Sequence, residues 1–341
     1  MTRDLDAMLP LGVPLESLAL YSRWWAFETW LRELIYIELR AMFGSAWAAK
    51  IDKTAGDRQA KDERHEYMVS GDSTNVLAYE DVGLLFKIVE SQWSLFESAL
   101  IAKSRWAAKA EELLAIRHRI SHCRRPHPDD INRIEQAMRD LEPGAWRAIT
   151  TYNRAYEVSD DLIDPVVEAW VREGCDDAKR LVRHAERQYD TSIAVQYSAR
   201  PWAQRRSQSD PITGAVGYMW CIRFVLRGRY LNPLQVIREW GESWRMPECV
   251  AHVLADDPYM IRFMISALEE PDTVVGVIGQ LFDSVLSCST AGNWGESLGE
   301  NFERWHAAVR QLDHRFQSES ALAVLDDGMP KRGMLLTVEW D

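Results

Sequence analysis

The chain has 341 residues, 47% of them apolar and 27% charged, with a net charge of −12. That profile belongs to folded globular proteins and excludes a disordered tail, and the length suffices for two domains with separate cores. The acidic balance excludes a protein that coats nucleic acid indiscriminately, so any contact with phosphate falls to a local basic patch.

No apolar run approaches the ~20 residues of a membrane span, and acids and prolines interrupt the opening "MTRDLDAMLPLGVPLESL" where a secretion signal would be apolar. A cytoplasmic protein with no membrane partner is expected. The cysteines (Cys123, Cys175, Cys221, Cys249 and Cys288) are scattered and never form a C-x-x-C pair, which argues against a disulfide framework or a zinc ribbon.

In chain order, Leu15 to Phe43 carries apolar residues at helical spacing (Leu20, Trp24, Phe27, Leu31, Leu34, Ile35), with Gly44 as a stop. Trp24 and Trp25 are adjacent, so they cannot both face inward. The polar stretch from Ile51 to Thr74 reads as a helix fragment plus loop. A second long helix is predicted over 75–100 through Val82, Leu85, Phe86, Val89, Trp93 and Phe96, and a third over 104–122, ending before Pro126 and Pro128. A fourth opens at Asp129 with acids in its first turn and runs to Trp146. The expectation is an all-helical domain over 1–158.

From residue 159 to 341 a mixed α/β domain is expected. Runs rich in β-branched and aromatic residues over 191–202, 217–228, 259–268 and 333–340 read as strands, while 164–188, 272–286 and 301–316 keep helical spacing. The glycines form no phosphate loop or dinucleotide fingerprint, so no cofactor is expected. Residues 179–229 are the most basic stretch of the chain. With Tyr189, Tyr197, Trp202 and Tyr230 interleaved they read either as a base-stacking surface or as a solvated helix face followed by guarded strand edges.

The segment "IRHRISHCRRPHPDD" concentrates histidine and arginine at one helix end. At about 100° per residue, Leu113, Ile116, Ile120 and Cys123 form one apolar stripe, whereas His118 and His122 lie one above the other on the far side with Arg117 on the flank. The histidines therefore face away from their own core. A metal site would use the same i, i+4 spacing, but the glutamate of H-E-x-x-H is missing and Arg117, Arg119, Arg124 and Arg125 would repel a cation, so no metal is expected. Arginine beside histidine suits phosphate: guanidinium grips its oxygens while imidazole moves a proton near neutral pH.

These residues resemble the HEPN ribonucleases of bacterial toxin and phage-defence systems. Their motif of arginine, a polar residue, three variable residues and histidine is matched by Arg117-His118-Arg119-Ile120-Ser121-His122, late in a helix of an all-α region. The segments Glu28 to Trp47 and Tyr79 to Phe96 are similar to the same group, and the resemblance covers roughly residues 15–155. It implies a homodimer with a composite site. It further implies a metal-independent endoribonuclease in which His122 activates the ribose 2′-OH and Arg117 stabilises the phosphorane, with His118 as orienting group. RNA such as tRNA or mRNA is the expected partner, with Arg119, Arg124 and Arg125 holding flanking phosphates or merely complementing the helix dipole. An antitoxin or regulatory partner is also expected. The rival reading is a catalytically silent helical module that recruits another protein.

Overall fold

The computed structural model describes residues 13–65, 76–231 and 247–291. The first element is a 29-residue helix, α1 (Leu15–Phe43). Its inward face is aromatic: Trp24, Phe27 and Trp30 are buried while Trp25 stays 45% exposed, so the tandem tryptophans divide between core and surface. Gly44 ends it with φ of 55°, and a Cβ there would lie 2.9 Å from Cβ of Leu268, so only glycine fits both the backbone and the close approach.

Two short elements follow, a 3₁₀ turn (Gly44–Lys50) and α2 (Lys53–Asp62), whose first turn is capped by Asp52 accepting from Thr54 N–H. The helix expected over 75–100 is broken into a 3₁₀ turn (Val76–Tyr79), α3 (Val82–Ser91) and α4 (Trp93–Phe96). On an unbroken helix Leu95 would point away from the Val82, Leu85, Phe86, Val89 stripe. The break at Gln92 turns it inward, and Leu95 and Phe96 are both buried.

Next come α5 (Lys103–Ser121) and α6 (Asp130–Asn153). α6 runs past its expected end at Trp146 and through Pro143. Packing overrides the local signal, because Ala145, Ala148 and Tyr152 are buried on the continuation. A Cβ on Gly144 would lie 2.1 Å from the Ala99 carbonyl oxygen, so the α6 backbone sits directly against that loop.

Beyond α6 the chain forms a five-stranded antiparallel sheet in the order β1-β2-β3-β6-β5, made of β1 (Tyr156–Glu157), β2 (Thr191–Ala199), β3 (Tyr218–Leu226), β5 (Val250–Asp257) and β6 (Met260–Ser266). A two-stranded ribbon of β4 (Arg229–Leu231) and β7 (Ser289–Ala291) forms a second sheet, with Leu231 packed into the same core. The sheet begins at Tyr156, inside the stretch expected to be helical. The helix expected over 164–188 is a π-helical turn (Val167–Val171) and α7 (Asp176–Tyr189), separated at Glu173, which takes a positive φ. α8 (Pro271–Ser287) matches expectation. The predicted helix 301–316 and strand 333–340 lie outside the described residues.

Both faces of the sheet are covered. Trp220, Ile222, Phe224, Phe263 and Ile265 pack with Leu181 of α7 and Ile278 and Phe282 of α8. The alternate residues Met219, Cys221 and Met264 meet Ala41 of α1, with Tyr36 and Trp202 at the margin. The period of two along β3 thus divides one strand between two packing layers. The result is a helical region followed by a mixed region whose sheet rests on α1.

Polar groups fasten that junction. Arg40 of α1 pairs with Glu269 at 2.8 Å and donates to the Glu248 carbonyl at 2.8 Å. Glu38 accepts from Trp202 Nε1 at 2.7 Å and from the Tyr152 hydroxyl at 3.3 Å. Burial raises the Glu38 carboxyl above its ordinary pKa, against the lowering pull of Arg200.

Candidate active site

α5 carries the candidate residues, and its burial follows the wheel: Trp106, Ala110, Leu113 and Ile116 are buried, whereas His118 and His122 are exposed. The two imidazoles lie on successive turns, their centroids 6.3 Å apart and their planes within 17°.

The helix ends sooner than its apolar stripe. His122 is the cap, Cys123 N–H donates to the Ile120 carbonyl at 3.1 Å, and Arg124 N–H reaches back to the Arg119 carbonyl at 2.9 Å. This is a Schellman termination with cysteine at the left-handed position, φ 51°, where glycine is usual. Cys123 therefore leaves the stripe and is exposed, contrary to its expected burial beside Ile120. The reversal happens before Pro126, so hydrogen bonding rather than proline stops the helix.

Arg119 donates twice to Asp130, Nε to Oδ2 at 2.7 Å and Nη2 to Oδ1 at 2.5 Å. Asp130 opens α6, is buried, and accepts in addition from His127 N–H at 2.9 Å. Burial alone would push this carboxyl up, but the Arg119 and His127 hydrogen bonds outweigh it and hold the pKa below the ordinary value. Arg119 is thus committed to anchoring the helix end. Arg124 and Arg125 are exposed and form no ion pair among the described residues.

Arg117 is half-buried, and its Nη2 lies 3.8 Å from Oδ1 of Asp81, the residue that precedes α3. The other oxygen of Asp81 is 3.0 Å from Nη2 of Arg58 on α2. Asp81 thus sits between two guanidinium groups, drawing α2 and α3 toward the motif helix. Sequence reading missed Asp81, Arg58 and Asp130; their one local signal is that both acids stand at helix N-termini, where carboxylates are favoured. Among the described residues no group of three or more His, Cys, Asp or Glu is placed to hold a metal ion.

The α7 part of the basic stretch 179–229 is partly neutralised. Lys179 pairs with Asp176, Arg180 with Asp177 and Arg183 with Glu173, at 3.1–3.5 Å, and Arg200 is buried. The solvated-face reading therefore fits α7.

Residues 26–142 match the family model described as Swt1-like HEPN. The match supports a HEPN domain in the N-terminal region; it runs from within α1 to within α6 and contains the whole Arg117 to His122 motif. HEPN domains are generally ribonucleases. The chain matches no curated protein and no solved structure. No helix among the described residues is long and apolar enough to cross a membrane.

Proposed function

We propose that the protein is a metal-independent endoribonuclease that acts as a toxin or phage-defence effector. The observation that carries this reading is the stacked, exposed His118–His122 pair at the end of α5, in the motif that Arg117 opens, within a region that matches a HEPN family. His122 removes the proton from a ribose 2′-OH, the oxygen attacks the adjacent phosphorus, and the bond to the 5′ oxygen breaks. The products are a 2′,3′-cyclic phosphate and a 5′-OH end. Acid–base help of this kind contributes about 10²–10⁴-fold. Arg117 stabilises the charge that builds on the phosphorane oxygens, an electrostatic contribution that is commonly the larger one.

The site works as a composite of two chains, in which His122 of the partner subunit protonates the leaving oxygen. His118 orients the substrate, and Arg124 and Arg125 hold flanking phosphates. Arg119 serves by fixing the helix end. A second domain is proposed from residue 159 onward, its sheet reaching back across that boundary to β1 at Tyr156–Glu157.

The test is incubation of the purified chain with tRNA and mRNA in excess EDTA, followed by mapping of the ends. Cyclic phosphate and 5′-OH ends are expected. RNA left intact, or 5′-phosphate ends, would remove this reading.

A further inference from the structure

A cavity of about 230 Å³ opens beside the β1 edge of the sheet, away from the histidines. Its floor is Leu162, Ile212 and Tyr218, all buried, and its rim includes Glu157, Ser159 and Ser207, all exposed. One wall is aromatic. Tyr156, Tyr197 and Tyr218 form a ladder across β1, β2 and β3, with centroid steps of 5.6 and 6.2 Å and interplanar angles of 30° and 34°. Tyr197 stands in the middle and is half-buried, so part of its ring faces the opening.

Charged groups frame that wall. The Arg206 guanidinium lies 5.6 Å from the Tyr218 ring centre, and its buried Nε–H has no acceptor. Glu157 accepts from Gln196 and lies 3.9 Å from Arg223.

The walls are fixed in advance. Asp164 accepts from Thr213 N–H at 2.8 Å and from its hydroxyl at 3.0 Å, holding the loop that carries Ile212. Arg172 donates to the Asp160 and Leu162 carbonyls at 2.5 and 3.2 Å, holding the opposite loop. A cavity held open by such ties needs little reorganisation on binding.

We propose that this cavity is a binding site for a nucleobase. Its volume is below the ~300–1,000 Å³ of sites for drug-sized ligands, so it admits one ring system and leaves the sugar and phosphate at the rim. Tyrosine faces bind any base by stacking. An apolar ring would leave the buried Arg206 Nε–H without an acceptor, and an unpaired buried polar group is costly. A base edge supplies that acceptor. The site is separate from the motif helix: α6 alone, 24 residues long, spans about 36 Å between Asp130 and the start of β1. The proposal therefore stands apart from the ribonuclease reading. A base held here belongs either to a free nucleotide or to a stretch of single-stranded nucleic acid bound elsewhere on the chain.

The experiment is calorimetric titration of the full chain with the four nucleoside monophosphates, with ribose 5-phosphate, and with a deoxy-oligonucleotide that has no 2′-OH to react. Saturable binding of at least one monophosphate, and none of ribose 5-phosphate, is expected. Tyr197→Ala should weaken it at least tenfold while Tyr197→Phe keeps it. Should Tyr197→Ala not fold, as judged by circular dichroism, Arg206→Gln at the rim should weaken it by a similar factor. An oligonucleotide that binds at least tenfold tighter than the monophosphates, with the same dependence on Tyr197, identifies nucleic acid as the source of the base; equal or weaker binding identifies a free nucleotide. No saturable binding of any base-bearing probe, or binding unchanged in the folded variants, overturns the proposal.

Discussion

Arg119 and Asp130 form a two-pronged ion pair that joins the end of α5 to the start of α6, with the carboxylate buried and the guanidinium about a third exposed. The pair anchors the end of α5 against α6, three residues before His122. Asp130→Ala leaves a charged donor without its partner and frees His127 N–H. A loss of about 1.5–3 kcal/mol is expected, the range for hydrogen bonds to charged groups. Urea unfolding monitored by tryptophan fluorescence measures it, and a midpoint equal to wild type would show that the pair contributes nothing.

The motif residues should behave in the opposite way. His118 and His122 are exposed and Arg117 is half-buried, so removing them creates no cavity. Arg117→Ala and His122→Ala are expected to leave the melting temperature within a few degrees of wild type while lowering cleavage by at least about 10²-fold. His118→Ala should be milder. Cleavage that persists in His122→Ala protein and disappears with EDTA would move the chemistry elsewhere.

Much of this architecture is legible in the sequence because it follows regular periods. The stripe of Leu113 and Ile116, the outward histidines and α1 obey a spacing of 3.6, and strands β2, β3 and β6 show as runs rich in β-branched and aromatic residues. What escaped reading depends on partners distant along the chain. Asp81 beside Arg117 and Arg58, or Glu38 beneath Trp202, has no local signal beyond a charge in an otherwise ordinary place. β5 escaped for a different reason. Its pairing with β6 shifts register between Val250 and His252 and again between Leu254 and Asp257, so its residues lack the strict alternation that marks a strand. Cys123 was misplaced because a helical wheel assumes the helix continues.

A composite site makes a quantitative prediction about mixtures. If one His122 acts as base and that of the partner subunit as acid, a dimer containing a single His122→Ala chain is inactive. Chains co-expressed at equal levels and pairing at random then give about one quarter wild-type dimers. Cleavage per total protein should fall to that fraction of the wild-type value. A fall only to one half would mean that each chain works alone, and sedimentation showing a monomer at micromolar concentration would lead to the same conclusion.

Stability should depend on pH through His252, buried on β5 with its ring 5.2 Å from that of Tyr152. Burial, reinforced by the nearby Arg200 charge, lowers its pKa from 6.5 to about 3. The folded ring thus stays neutral while the unfolded chain takes up a proton below pH 6.5. Protons bind preferentially to the unfolded state, so stability is fully present above pH 6.5 and is lost as pH falls toward 3. Each pH unit in that window costs on the order of 1 kcal/mol from this one group. Glu38, raised by burial in the same cluster, acts with the opposite sign, because its folded form holds a proton more readily than the unfolded chain. Asp130, held low, adds to the acid loss only near and below the ordinary aspartate value of 3.8. His252→Gln removes the first contribution alone. Urea unfolding at pH 7.5, 6.0 and 5.0 should show a flatter decline for that variant than for wild type, and parallel declines would mean that His252 does not govern the acid sensitivity.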